Sequence, residues 1–283
     1  MLEPISGKYI HLEIQGIEYR VYFEESGKGI PLLCQHTAGA EGLQYRQILN
    51  DPDVTSIYQV FAIDLPYHGK SLPPENVEWW KEDYRLTKSF LIDCYIKFIE
   101  ALELDKPVFV GSSMGGHFAL DLALERPDDF RALIGVEAAE FTPGFHMDWW
   151  IHPKIGSQFK YANLYEATAP YSPEKYRREV AWGYSKNAPS VFNGDLYYYS
   201  VEHDTRGKLG QIDTNRVPLY ILCGEYDIAT SPEMGKEAAD QIKGAKFIEM
   251  KKLGHFPFTE NYEMFKEYLM PILKEIAQMQ DAE

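Results

Sequence analysis

Residues 111–115 read Gly111-Ser112-Ser113-Met114-Gly115, a serine centred between glycines two places away on either side. The run follows an apolar stretch, Val108 to Val110, and passes through a further glycine, Gly116, into a helical pattern. This is the pattern of a sharp strand-to-helix turn that presents one side chain at the end of a sheet, where small residues are needed as the chain folds back on itself. The glycine spacing centres on Ser113 and leaves Ser112 as its neighbour. A serine hydroxyl is a weak nucleophile at neutral pH, so chemistry at Ser113 needs an imidazole to take its proton. Among eight histidines, His255 stands in Leu253-Gly254-His255-Phe256-Pro257, a loop between the last predicted strand and the last predicted helix. His11, His146, His152 and His203 have no comparable context and read as surface or packing residues. The imidazole in turn needs a carboxylate to hold its tautomer and to stabilise its charged form. Leu219 to Cys223 reads as a late strand followed by Gly224-Glu225-Tyr226-Asp227, and Asp227 precedes His255 by 28 residues, room for one helix and one short strand. Glu225 lies two residues nearer the strand. Acyl transfer at Ser113 would also need donors for a developing oxyanion, and the backbone N–H of Met114 is one.

Such residues must be held by a sheet, and the rest of the sequence supplies one. Short β-branched and aromatic runs alternate with longer helical patterns, which predicts a mostly parallel sheet with helices on both faces. The expected strands are Tyr9 to Ile14, Tyr19 to Phe23, Pro31 to Gln35, Tyr58 to Ile63, Val108 to Val110, Ala132 to Val136, Leu219 to Cys223 and Phe247 to Met250. The first two, joined by Gln15-Gly16 with no helix between them, should pair antiparallel. Helices are expected near Gln44 to Leu49, over Leu86 to Leu102, over Phe118 to Leu124, from about Pro232 and from Glu260, with a frayed tail over Gln278 to Glu283. The alternation lapses between about 141 and 212, where Trp149, Trp150, Tyr161, Tyr165, Trp182, Phe192, Tyr197, Tyr198 and Tyr199 crowd together. We therefore expect a core formed by residues 1–140 and 213–283 and a helical lid over 141–212, with Trp149, Trp150 and Trp182 against the substrate.

The strand order and the Gly-Ser-Ser-Met-Gly turn resemble the α/β-hydrolase superfamily over nearly the whole chain, with lidded carboxylesterases, lactonases and carbon-carbon bond hydrolases as the nearest groups. The resemblance implies an eight-stranded, mostly parallel sheet and the chain order serine, acid, histidine, which Ser113, Asp227 and His255 follow. Some members place the acid after the preceding strand, where Glu137 and Glu140 stand. The loop after the third strand, His36-Thr37-Ala38-Gly39-Ala40, is similar to the family's oxyanion loop and implies Ala38 N–H as the second donor beside Met114. Thr37 replaces the family's usual glycine, and its hydroxyl either adds a hydrogen bond to substrate or packs. Asp64-Leu65-Pro66-Tyr67-His68-Gly69-Lys70-Ser71 resembles the loop that buttresses the nucleophile turn, so His68 is expected to be structural.

A chain of 283 residues with 45% hydrophobic and 25% charged residues has the composition of a soluble globular protein. Its net charge of −15 repels phosphate backbones and anionic lipid, which argues against nucleic-acid and membrane partners. Cys34, Cys94 and Cys223 lack CxxC spacing and lie in apolar stretches, so neither a disulfide framework nor a zinc site is expected. No signal-peptide pattern opens the sequence, which points to the cytoplasm. The expected substrate is a small ester, lactone or thioester with a hydrophobic portion, cleaved without metal or organic cofactor. Carbon-carbon hydrolysis of vinylogous diketones is a second reading, weakened by Ser112 where those enzymes carry asparagine and by the short Thr37-Ala38 loop. A ligand-binding receptor on a hydrolase scaffold is a third.

Overall fold

Side chains on a strand alternate between faces, and the buried strands use that alternation to build two cores at once. Leu33, Phe109 and Leu133 enter one, while Leu32, Val108, Val110, Ala132 and Ile134 enter the other. The computed structural model describes residues 2–279 apart from 153 and 155. The sheet contains β1 (Ser6–Ile14), β2 (Ile17–Gly27), β3 (Ile30–Gln35), β4 (Tyr58–Asp64), β5 (Val108–Ser112), β6 (Ala132–Val136), β7 (Leu219–Gly224) and β8 (Lys246–Met250). Their spatial order is β1-β2-β4-β3-β5-β6-β7-β8. The pairings β1 with β2 and β2 with β4 are antiparallel and the others parallel. Gln15 and Gly16 close the first hairpin with φ of 51° and 79°, a left-handed turn that follows strand twist.

The helices are α1 (Arg46–Leu49), α2 (Pro52–Thr55), α3 (Lys88–Ala101), α4 (Met114–Glu125), α5 (Gly156–Glu166), α6 (Glu174–Ser185), α7 (Pro189–Tyr197), α8 (Pro232–Asp240), α9 (Pro257–Glu260) and α10 (Tyr262–Gln278). The first core takes Leu91, Tyr95 and Phe98 from α3, Phe118 from α4 and Ala238 from α8. The second takes Ile48 and Leu49 from α1 and Phe265, Leu269 and Leu273 from α10. Between β6 and β7 the described residues form no strand: α5, α6, α7 and a π-turn at Tyr198–Glu202 fill the interval. No described helix is long and apolar enough to cross a membrane. The three cysteines are buried and unpaired.

Element type follows the sequence pattern, and the differences fall where glycine or proline was read locally. α4 begins at Met114, four residues before the expected start, because Gly115 and Gly116 are helical here and serve close packing. The expected helix at Gln44 to Leu49 is a 3-10 turn, Gly42–Tyr45, running into α1. The last helix starts at Tyr262 after an Asn261 cap, with α9 as a separate turn before it. Of the expected tail, residues 280–283 lie outside the described residues.

Candidate active site

β5 ends at Ser112 and α4 begins at Met114, leaving Ser113 between them at φ 57°, ψ −111°, a conformation that side-chain-bearing residues rarely adopt. The turn closes because its flanks carry no Cβ: one on Gly111 would lie 2.4 Å from the Gly115 carbonyl oxygen, and one on Gly115 2.8 Å from that of Gln35. The Ser113 N–H donates to the Val136 carbonyl at 2.8 Å, which ties the turn to β6. From the loop after β8, His255 brings Nε2 to 2.8 Å from Ser113 Oγ. Its Nδ1 lies 2.7 Å from Asp227 Oδ2, in the loop after β7. A carboxylate only accepts, so the Nδ1 proton points at Asp227 and Nε2 faces the serine as an acceptor. Asp227 is held in turn by the N–H groups of Ala229 and Thr230, at 2.7 and 3.0 Å from Oδ1. All three side chains are buried.

Two further carboxyls stand close by. Glu137, at the end of β6, accepts from the Gly224 N–H at 3.0 Å and shares a hydrogen bond with Asp227. Burial and the Asp227 charge push the Glu137 pKa well above the ordinary carboxylate value, so Glu137 keeps its proton and donates it to Asp227. For Asp227, burial acts upward, but the interaction with His255, the hydrogen bonds from His255 and Glu137 and the Thr230 N–H prevail and lower its pKa. Glu260, in α9, accepts from the N–H groups of Ala169 and Gly254, the former at 2.7 Å, and burial raises its pKa to about 7. Glu140 instead accepts from Gly207 N–H at 3.3 Å and Glu225 from Lys252 N–H at 2.9 Å, so both are turned elsewhere.

Ser113 and His255 open on a cavity of about 170 Å³ whose rings are Phe145, Trp150, Tyr184, Phe192, Tyr199 and Phe256, with Ala38, Leu164, Leu196 and Ile228 completing most of the wall. Ala38 and Ser113 line this same cavity. The Thr37 N–H is taken by Gln44 Oε1 at 3.0 Å and the Gly39 N–H by Asp195 Oδ2 at 2.6 Å, while Ala38 N–H has no acceptor among the described residues. Met114, the first residue of α4, likewise has no intrahelical acceptor for its N–H. Among the described residues no cluster of histidine, cysteine and acidic side chains could hold a metal.

The sequence model of the alpha/beta hydrolase fold family matches residues 30–262. This chain belongs to the α/β-hydrolases. Similar proteins include the uncharacterized hydrolase YugF of Bacillus subtilis (strain 168), 20% identical over 90% of this chain and 94% of that one. Another is a pimeloyl-[acyl-carrier protein] methyl ester esterase of Neisseria meningitidis, 27% identical over 76% of this chain and 82% of that one. A thermophilic esterase from Thermogutta terrifontis superposes with a TM-score of 0.80 at 18% identity, covering 95% of this chain and 99% of that structure.

Of the residues expected to meet substrate in this α/β-hydrolase, Trp150 lines the cavity and Trp149, Trp182 and Thr37 do not. Trp149 and Trp150 are neighbours on a 3-10 turn, Asp148–Ile151, and cannot share a face; Trp150 is buried and Trp149 is 58% exposed. On α6, Val180, Ala181 and Tyr184 form the inward stripe, which turns Trp182 outward beneath Lys186. Thr37 Oγ1 is bonded to the Tyr184 hydroxyl and accepts from Gln44 Nε2 at 3.2 Å, so its hydroxyl joins loop to helix and does not face the cavity. His68 is structural: it is buried, with Nδ1 on the Pro66 carbonyl at 2.9 Å and Nε2 on Asp195 at 2.7 Å. His203 is buried against Asp121 Oδ2 at 2.8 Å, and His11 is exposed beside Glu18. Sequence reading passed over Tyr184, although its spacing from Val180 is helical, and Asp195, the lone charged residue in the aromatic-rich stretch Val191 to Tyr199.

Proposed function

We propose that this α/β-hydrolase is a cofactor-independent serine hydrolase that cleaves a small carboxylic ester, lactone or thioester. The observation that carries the reading is the unbroken chain Asp227–His255–Ser113, with bonds of 2.7 and 2.8 Å, ending on an apolar cavity. Ser113 Oγ attacks the acyl carbon while His255 Nε2 takes its proton, and the N–H groups of Ala38 and Met114 hold the oxyanion. His255 then returns the proton to the departing alcohol or thiol, leaving an acyl-serine. Water, deprotonated by His255, attacks that acyl group and restores Ser113 with release of the acid. Residues 141–212 act as a lid whose rings close over the acyl group. A cavity of about 170 Å³ is small beside the roughly 300 to 1,000 Å³ of drug-sized sites, which favours a short acyl chain.

The test is Ser113→Ala with Ser112→Ala as control, assayed by nitrophenyl acetate turnover and by fluorophosphonate labelling. Ser113→Ala should lose on the order of a thousandfold or more of turnover and all labelling while the fold persists. Activity within tenfold of the parent would refute the assignment. Labelling of the parent without turnover would point to a receptor.

A further inference from the structure

Gly39 adjoins Ala38, the proposed second oxyanion donor, and the two peptide units that meet at its α-carbon are gripped from one direction. Its N–H donates to Asp195 Oδ2 at 2.6 Å, and its carbonyl accepts from Asn187 Nδ2. Phe192 lies against its α-carbon so closely that a Cβ there would come within 2.6 Å of the ring. All three contacts come from residues 187–195, in and just before α7, and therefore from the proposed lid. Each gripping residue is itself anchored. Asp195 is buried and also accepts from His68 Nε2 at 2.7 Å and from the Tyr84 hydroxyl at 3.1 Å. Because His68 Nδ1 faces the Pro66 carbonyl, both ring nitrogens face acceptors and the ring is an imidazolium paired with Asp195. Asn187 Oδ1 accepts from the buried Lys160 Nζ at 2.5 Å, which orients its amide nitrogen toward Gly39. On the core side, His36 Nδ1 lies 2.8 Å from the Thr37 carbonyl, so the peptides flanking Ala38 are fixed while its own N–H is left without an acceptor among the described residues.

We propose that Asp195 and Asn187 are positioning residues that clamp the two peptide units meeting at Gly39 and so aim the Ala38 N–H at the oxyanion. The lid then completes the oxyanion pocket in addition to shaping the space for substrate. This rests on the reading of Ser113 as nucleophile. An N–H displaced by a fraction of an ångström loses transition-state stabilisation and little ground-state affinity, because the neutral carbonyl draws weakly on the same donor.

The experiment compares Asp195→Asn, Asp195→Ala, Asn187→Ala and the parent, using a short nitrophenyl ester, a trifluoromethyl ketone that forms a hemiketal oxyanion on Ser113, and the matching methyl ketone as a ground-state mimic. Clamping predicts that Asn187→Ala lowers kcat ten- to a hundredfold with KM within threefold, and that trifluoromethyl ketone affinity falls in parallel while methyl ketone affinity holds. Asp195→Asn, which keeps an acceptor for Gly39 N–H but removes the charge paired with His68, should retain more of kcat than Asp195→Ala. If Asp195 variants do not fold, Asn187→Ala decides alone. A rise in KM with kcat within threefold, or equal losses for both ketones, would overturn the clamp in favour of a lid that only binds substrate. Failure of the nucleophile assignment is distinguishable, since the parent would then escape the fluorophosphonate or Ser113→Ala would still turn over.

Discussion

Two carboxyls, Glu137 and Asp227, meet behind His255 from adjacent strands, and the direction of their shared proton separates their roles. Burial keeps Glu137 neutral, so the pair carries a single charge, and that charge sits on Asp227, the member that faces His255 Nδ1. Asp227→Asn should therefore leave the imidazole in the wrong tautomer and lower kcat on the order of a hundredfold or more at neutral pH. Glu137→Gln replaces a neutral donor by another neutral donor and should stay within tenfold. Steady-state rates of the two variants, with folding checked by circular dichroism, decide the matter: a far larger loss in Glu137→Gln would place the acid on β6. Sequence reading put Asp227 first and left Glu137 open, since both stand just past the end of a strand. It had no means of seeing that the two side chains share one proton, which is set by burial and not by spacing.

At the scale of elements, the glycine pattern at Ser113 and the strands beside it were legible because each is a local signal: short continuous apolar runs for β5 and β6, buried on both faces, and absent side chains where the turn closes. The helices between β6 and β7 were visible only as a lapse in that pattern and an excess of aromatics. Which rings face Ser113 depends on helical phase and on how α6 and α7 dock, and composition does not encode that. Hence Trp150 reaches the cavity while Trp149 and Trp182 face outward. Trp150→Phe should enlarge the pocket and shift preference toward longer acyl chains. Each buried methylene contributes about 0.8 kcal/mol, so two more amount to roughly tenfold in relative kcat/KM. Trp149→Ala and Trp182→Ala should leave the profile of nitrophenyl esters unchanged; a flat profile for Trp150→Phe would remove that ring from the acyl site.

For the whole molecule, Glu260 ties the histidine loop to the segment ahead of α6, bonding Gly254 beside the histidine and the Ala169 N–H. Burial lifts its pKa from 4.5 to about 7, so the folded state binds its proton more tightly than the unfolded chain does. The stability it contributes is whole below about pH 4.5 and falls as pH rises through about 7, by on the order of 3 kcal/mol. Asp64, raised to about 6 by burial, moves in the same sense, so the measurement is the difference between parent and Glu260→Gln in urea unfolding at pH 5 and pH 8. The variant should lose the Glu260 part of the slope; identical slopes would mean that Glu260 titrates normally. The same connections say something about time. The bond from Ser113 to His255 spans 142 residues and that from Gly39 to Asp195 spans 156. Entropy charges for such spans only logarithmically, yet the Ser113–His255 bond must wait for a residue that follows β7 and β8 in the chain. A chain still emerging from the ribosome, or one cut before residue 255, carries Ser113 on its turn with no base to waken it. Under the proposed chemistry the nucleophile is dormant until folding is complete, and a covalent probe of Ser113 counts finished molecules, not polypeptide.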